Sequence, residues 1–162
     1  MVLMERKTEK IREIDQKDRR IINILAENGR EKLTSIAKKI GISVDATKKR
    51  VDKLIEDGII KPTVLLNFDA IGLHANSHVY IKVAPPSEAK YDELIAYLKK
   101  HPRVLYVMFM LGDYDIYIVL MAKDTKELGE LKHEIRQKFP DAIADWKELL
   151  VSGWAKYEEI KV

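Results

Sequence analysis

With 162 residues, 46% hydrophobic and 34% charged, the chain has enough apolar content for real cores and too much for a disordered protein. Zero cysteines exclude disulfides, thiolate metal sites and cysteine nucleophiles. The net charge of +3 is unevenly spread: residues 1–61 hold 16 Lys/Arg against 11 Asp/Glu and the remainder 13 against 15, so the basic charge lies in the first part.

Residues 1–14 are rich in charge and read as a flexible or partly helical arm. Asp15 is placed to cap a helix whose first turn holds Asp18, where both acids suit the positive end of the helix dipole. Ile21, Ile22, Ile24 and Leu25 supply its apolar stripe, and Asn28-Gly29 ends it. Leu33, Ile36, Ala37 and Ile40 then recur at helical spacing. Gly41 stands where a tight turn needs positive φ, Ile42 seats the turn and Ser43 caps the next helix. On that helix Thr47, Val51, Leu54 and Ile55 form the core face. Asp45, Lys48, Lys49, Asp52 and Lys53 lie opposite, with Arg50 on the flank, until Gly58 stops the helix.

This is a helix-turn-helix pattern, and a cationic second helix presented in this way suits entry into a DNA major groove. Two amphipathic helices joined by a glycine turn also occur in all-helical proteins, with the lysines merely solvated. The charge asymmetry weighs for DNA, because the basic charge sits where the motif sits. The expected DNA contacts are Ser43, Val44, Asp45, Lys48, Lys49, Arg50 and Lys53.

After Pro62 the period changes, which favours two domains: helix-turn-helix at 15–61, a linker strand at 62–74, and a second domain at 75–162. Thr63–Phe68 is β-rich. Ser77–Val83 alternates as a half-buried strand ending at Ala84-Pro85-Pro86. Ser87 is the expected cap of a helix carrying Tyr91, Leu94, Ile95 and Leu98, stopping before His101-Pro102. Val104–Leu111 and Asp115–Ala122 are strands joined by the Gly112-Asp113-Tyr114 turn. Thr125 is the expected cap of a helix through Leu128, Leu131, Ile135 and Phe139, closed by Pro140. Ile143–Ser152 is the last strand, with a short return at Trp154–Ile160.

The order β-α-β-β-α-β predicts a ferredoxin-like sheet with two helices on one face, giving an α+β chain overall. The other face has nothing left to cover it. Val107, Phe109 and Leu111 alternate with Tyr106, Met108 and Met110, so both faces of that strand are apolar and self-association through the sheet is expected.

The pattern Asp15-x-x-Asp18-x-x-Ile21, Asn28-Gly29-Arg30, Ile36-Ala37-x-x-Ile40-Gly41-Ile42-Ser43, Arg50-Val51-x-x-Leu54 and Gly58-Ile59-Ile60 resembles the Lrp/AsnC (leucine-responsive, feast/famine) transcription regulators of bacteria and archaea. The likeness runs through the second half to Leu111-Gly112-Asp113-Tyr114-Asp115. Three positions depart from it: Ile55 stands where a glutamate is usual, Lys32 where a Ser/Thr cap is usual, and Asp145-Trp146-Lys147-Glu148 replaces a threonine-rich strand. The resemblance implies a homodimer, often assembled into tetramers or octamers, that binds double-stranded DNA and takes a small amino-acid-like effector near Gly112, Asp113, Tyr114 and Asp115. The hairpin chemistry agrees, since Asp113 or Asp115 offers an acceptor for an ammonium and Tyr114 a wall for a side chain. Ordinary turn chemistry accounts for Gly-Asp equally well, Asp115 then capping backbone groups.

No catalytic residue, cofactor or metal site is expected. His74 and His78 have a helical ligand spacing but fall at a strand entry, and no phosphate-binding loop, dinucleotide fingerprint or nucleophile elbow is present. Sirohaem decarboxylases resemble the same two-domain architecture but carry Arg, Asn and Trp at the hairpin, and an effector-independent architectural DNA-binding protein is a third class. The sequence has no run of 18 apolar residues and no secretory leader pattern, so a cytoplasmic protein is expected, with no membrane partner.

Overall fold

The computed structural model describes residues 13–85 and 88–153, which fall into two compact units dividing between Leu65 and Leu66, inside the expected 62–74 linker. The arm before residue 13, the Ser87 cap and the return at 154–160 lie outside the described residues. No helix among the described residues is long and apolar enough to cross a membrane.

The first unit holds α1 (Gln16–Glu27), α2 (Leu33–Ile40) and α3 (Val44–Glu56). Asp15 caps α1 by accepting the Asp18 N–H at 2.8 Å. Gly41 adopts φ 75°, a left-handed conformation that a Cβ would strain, and turns the chain between α2 and α3. The N–H groups of Gly41 and Ile42 both return to the Ala37 carbonyl, closing the end of α2. Ser43 then accepts the Ala46 N–H at 3.2 Å. The helices close over Ile21, Ile36, Ile40 and Leu54. Each such side chain contributes about 1.5–3 kcal/mol by leaving water. Lys32 precedes α2 without a side-chain cap, as its departure from Ser/Thr anticipates. Ile55 does not join the core. It lies about 100° round the helix from buried Leu54 and is 40% exposed. An apolar residue there substitutes for a polar one on the surface and leaves the core unchanged.

The second unit follows the chain order β1 (Ala75–Val83), α4 (Glu88–Lys100), β2 (Val104–Phe109), β3 (Ile116–Ala122), α5 (Thr125–Lys138) and β4 (Ile143–Leu150). The sheet order is β2-β3-β1-β4, every neighbour antiparallel, which is the ferredoxin-like arrangement. Val79 and Ile81 of β1 and Ile116, Ile118 and Leu120 of β3 pack against Leu94 and Leu98 of α4 and Leu128, Leu131 and Ile135 of α5. That single apolar layer fixes the register, because a one-residue slip would turn every buried strand residue to the opposite face.

Three local expectations change. Residues 63–68 pair with no strand of the four-stranded sheet and run as coil, Val64 being 79% exposed, before a short 3-10 turn at Asp69–Ile71. Asp124, not Thr125, caps α5, its carboxylate accepting the Glu127 N–H at 2.8 Å. A carboxylate one residue earlier reaches the free N–H groups, and Thr125 becomes the first helical residue. Finally β2 stops at Phe109 rather than Leu111, because the Met110 N–H closes the connection by donating to the Asp115 carbonyl at 2.8 Å.

On the sheet face away from the helices, His78 and Tyr80 stand beside Tyr117, and Met108 pairs with Tyr117 across β2 and β3. The Tyr80 and Tyr117 rings lie 5.3 Å apart and His78 meets Tyr117 edge-on at 5.4 Å. Met108 and Leu149 remain exposed on this face.

Candidate nucleic-acid interface and sheet hairpin

Helix α3 separates its duties by angle. Thr47 and Leu54 are fully buried, and the Thr47 hydroxyl donates to the Ser43 carbonyl at 3.0 Å. Asp45, Lys48, Lys49, Asp52 and Lys53 are exposed on the opposite face, and Val44 is exposed at the edge of that arc. Lys48 makes an exposed pair with Asp52 at 3.1 Å, one turn along. Such pairs are worth only a few tenths of a kcal/mol, so phosphate competes for Lys48 readily. Lys49 and Lys53 have no carboxylate partner among the described residues. Together they present two uncommitted ammonium groups one turn apart. Ser43 has its hydroxyl engaged in the cap.

Arg50, expected on the flank of the contact set, is engaged within the unit. Its guanidinium sits 2.7 Å from Asp18 and 2.7 Å from Asp15, tying α3 to the start of α1. Asp18 is 1% exposed, so this is a largely desolvated pair and not a surface bridge. The hydrogen bond from Asp18, then that from Asp15, raises the Arg50 pKa further above its ordinary value. On the other side, the Asp18 N–H and then Arg50 hold the Asp15 carboxyl below its usual range. A guanidinium committed in this way orients the helix. Sequence reasoning placed Asp15 and Asp18 at the helix dipole and missed this second duty. The available signal was a pair of acids three apart with a lone arginine on the flank of the cationic helix.

The hairpin between β2 and β3 spans 110–115. Gly112 takes φ 143° at its tip and Asp113 is exposed beside it. The Tyr114 hydroxyl donates to Asp145 on β4 at 3.0 Å, and its ring lies 5.9 Å from Tyr80. Acceptance by Asp145 favours the neutral phenol and pushes the Tyr114 pKa up. The Asp115 carboxylate is engaged within the sheet, as the backbone-capping alternative anticipates. One oxygen accepts the Val83 N–H at 2.9 Å, at a bulge in the β1–β4 pairing, and the other lies 3.2 Å from the Lys82 ammonium. Its own N–H donates to the Ile81 carbonyl at 3.0 Å. Asp115 thus locks the hairpin onto β1, leaving Asp113 as the carboxylate at the tip with no partner among the described residues. Sequence reasoning missed Lys82 and Asp145, which lie on other strands and reach the hairpin only through sheet pairing. A groove of about 600 Å³ begins at the same Asp145 and runs along β4 and the end of α5, lined by Arg136, Pro140 and Trp146 among others.

The histidines do not gather. His78 Nδ1 lies 2.7 Å from the Tyr117 hydroxyl, His74 lies 3.4 Å from Asp69, and His101 accepts the Arg103 N–H at 3.2 Å. Among the described residues no group of three or more His, Asp or Glu is placed to hold a metal ion.

Residues 14–61 match the family described as winged helix-turn-helix DNA-binding, and residues 78–148 match the Lrp/AsnC ligand-binding domain. An HTH-type transcriptional regulator of Pyrococcus furiosus is 33% identical over 117 residues, covering 72% of this chain and 76% of its own. The solved structure of E. coli AsnC is similar with a TM-score of 0.83 at 25% identity, covering 93% of this chain and 100% of that one. A transcriptional regulator from Neisseria meningitidis, solved as an L-Met complex, has the same fold with a TM-score of 0.83 at 18% identity, covering 90% of this chain and 94% of its own.

Proposed function

Because the chain belongs to the Lrp/AsnC family, and is a DNA-binding transcription regulator rather than an enzyme, we propose that it docks α3 in the DNA major groove as part of a homo-oligomer in the cytoplasm. Lys48, Lys49 and Lys53 take phosphates, Val44 and Asp45 face the base edges, and Ser43 stands at the entry. The observation that carries this reading is the exposed pair Lys49 and Lys53 on the face of α3 opposite buried Thr47 and Leu54. Two copies joined through the helix-free sheet face would bring two α3 helices to one duplex, whose successive major grooves lie roughly 34–36 Å apart. The exposed Met108 and Leu149 beside Tyr80 and Tyr117 support that face as the contact. The test is a salt titration of binding to duplex DNA. Lys49→Ala and Lys53→Ala should each weaken binding and reduce the log–log salt slope by about one unit. Unchanged affinity and slope in both variants would remove α3 from the interface.

The second unit serves, in this reading, as the sensor for a small amino-acid-like effector. The match of 78–148 to a ligand-binding domain supports it, as does the L-Met held by the Neisseria meningitidis protein of the same fold. Gly112, Asp113 and Tyr114 are the hairpin groups facing the ligand, while Asp115 holds the hairpin in shape. Calorimetry against the twenty amino acids tests it: binding by none would return the hairpin to a purely structural role.

A further inference from the structure

The side chains left with spare chemistry at the start of α3 are few, and the omissions are informative. The helix has no Asn or Gln, the residues that bind adenine with two hydrogen bonds. Its one guanidinium, the usual partner of guanine, is held by Asp15 and Asp18. Ser43 accepts the Ala46 N–H in the helix cap and Thr47 donates its hydroxyl proton to the Ser43 carbonyl, so both side chains are tied to the backbone. What remains in the first turn is the isopropyl group of Val44, 41% exposed, and the exposed carboxylate of Asp45.

Val44 belongs to no core cluster, although an apolar β-branched side chain gains nothing from water and lowers helix propensity. Asp45 has no cationic partner among the described residues. The helix dipole favours an acid at this position, but on a surface turned to phosphates the same charge is repelled. At about 100° per residue, Val44, Lys48, Asp45 and Lys49 follow one another around the exposed arc. Thus an apolar group and an acceptor are interleaved with two cations at the end of the helix that approaches the base edges.

We propose that Val44 and Asp45 are the base-reading pair: Val44 packs on the C5-methyl of a thymine and Asp45 accepts a hydrogen bond from the N4 amino group of a cytosine. Both contacts belong to the donor, acceptor and methyl pattern of the major groove. Sequence preference then rests on one methyl contact and one carboxylate acceptor, while the lysines supply affinity. Asp45 also acts against wrong sites, since without an amino group opposite it leaves a buried, unpaired charge facing phosphates. This inference rests on the docking of α3 in the major groove.

The experiment takes the full chain, selects its preferred duplex from a random library, and resynthesises that duplex with deoxyuridine for each thymidine in turn, which removes one methyl group and nothing else. At one thymine per half-site the wild type should lose about fourfold in affinity, the value of one buried methyl. Val44→Ala should be indifferent to the same replacement. Asp45→Ala should bind random duplex more tightly and lose its preference at one C·G pair. Insensitivity of the wild type at every thymine, retained deoxyuridine sensitivity in Val44→Ala, or an intact C·G preference in Asp45→Ala overturns the assignment. Failures can be told apart: if Lys49→Ala and Lys53→Ala weaken binding while the methyl replacements do nothing, only the base assignment falls. If the chain selects no duplex and the lysine variants are silent, the docking of α3 falls with it.

Discussion

Replacing Arg50 by Ala removes the guanidinium from a carboxylate that is 1% exposed, and the loss is expected in folding before it is seen in DNA binding. Breaking a buried pair by deleting one partner costs about 3–5 kcal/mol. Arg50 retains some contact with solvent and Asp15 is half exposed, so the lower end, about 3 kcal/mol, applies here. A unit of this size is stable by roughly 3–8 kcal/mol, so such a loss takes a large share of it. The two units need not unfold together, so the readout is hydrogen exchange at α1 and α3 amides, with the second unit as the internal control. Asp18→Asn in the Arg50→Ala background removes the buried charge that Arg50 had balanced and should recover most of the protection, and with it DNA affinity to within about threefold of wild type. Because Asp15 is held below its usual 3.8, its contribution is complete above that value and is lost as pH falls through the lower folded one. Without Arg50, the loss of stability on acidification should be shallower. An Arg50→Ala protein with exchange unchanged to within about 0.5 kcal/mol would refute the clamp. So would a double variant that recovers its fold but binds DNA as poorly as the single one, since Arg50 would then be a contact residue.

Asp115→Ala should release the Val83 N–H and Lys82 together and cost about 1–3 kcal/mol, seen as faster exchange at Val83; unchanged exchange there would mean that the hairpin is held otherwise. Met108→Lys places a charge on the helix-free sheet face and should lower the oligomeric mass in light scattering while the far-ultraviolet dichroism is unchanged. An unaltered mass would move the assembly contact off that face.

The helix-turn-helix was legible because its signals are local. Gly41 needs a left-handed turn, Ser43 needs an N–H within three residues, and the apolar positions repeat within two helical turns. The sheet order was legible because alternation and turns leave few ways to close a β-α-β-β-α-β chain. What escaped depends on contacts distant in sequence. The Arg50 clamp joins residues 32 and 35 apart, and the hairpin lock joins Asp115 to Lys82 and Val83, 33 and 32 apart. No periodicity reports either of them. Residues 63–68 misled for the opposite reason: β-branched composition describes a willingness to pair, and the sheet of this chain, ordered β2-β3-β1-β4, does not take the segment in. Asp124 displaced Thr125 as the cap because both residue types qualify and only geometry separates them.

Six consecutive positions, 44–49, contain a single buried residue, Thr47, and the clamp begins one residue later at Arg50. If α3 docks as proposed, the part of the helix that faces base edges is therefore nearly uncoupled from the part that keeps the unit folded, and only the phosphate contact of Lys53 lies beyond Arg50. A transplant of another target preference onto this scaffold should exchange Val44, Asp45, Lys48 and Lys49 as a cassette and stop there. Extending the exchange through position 50 would import a helix whose flank has to match Asp15 and Asp18, and the recipient would lose its foothold on α1 before it learned a new sequence. The same boundary lets such a protein drift in what it recognises while its stability stays where it was.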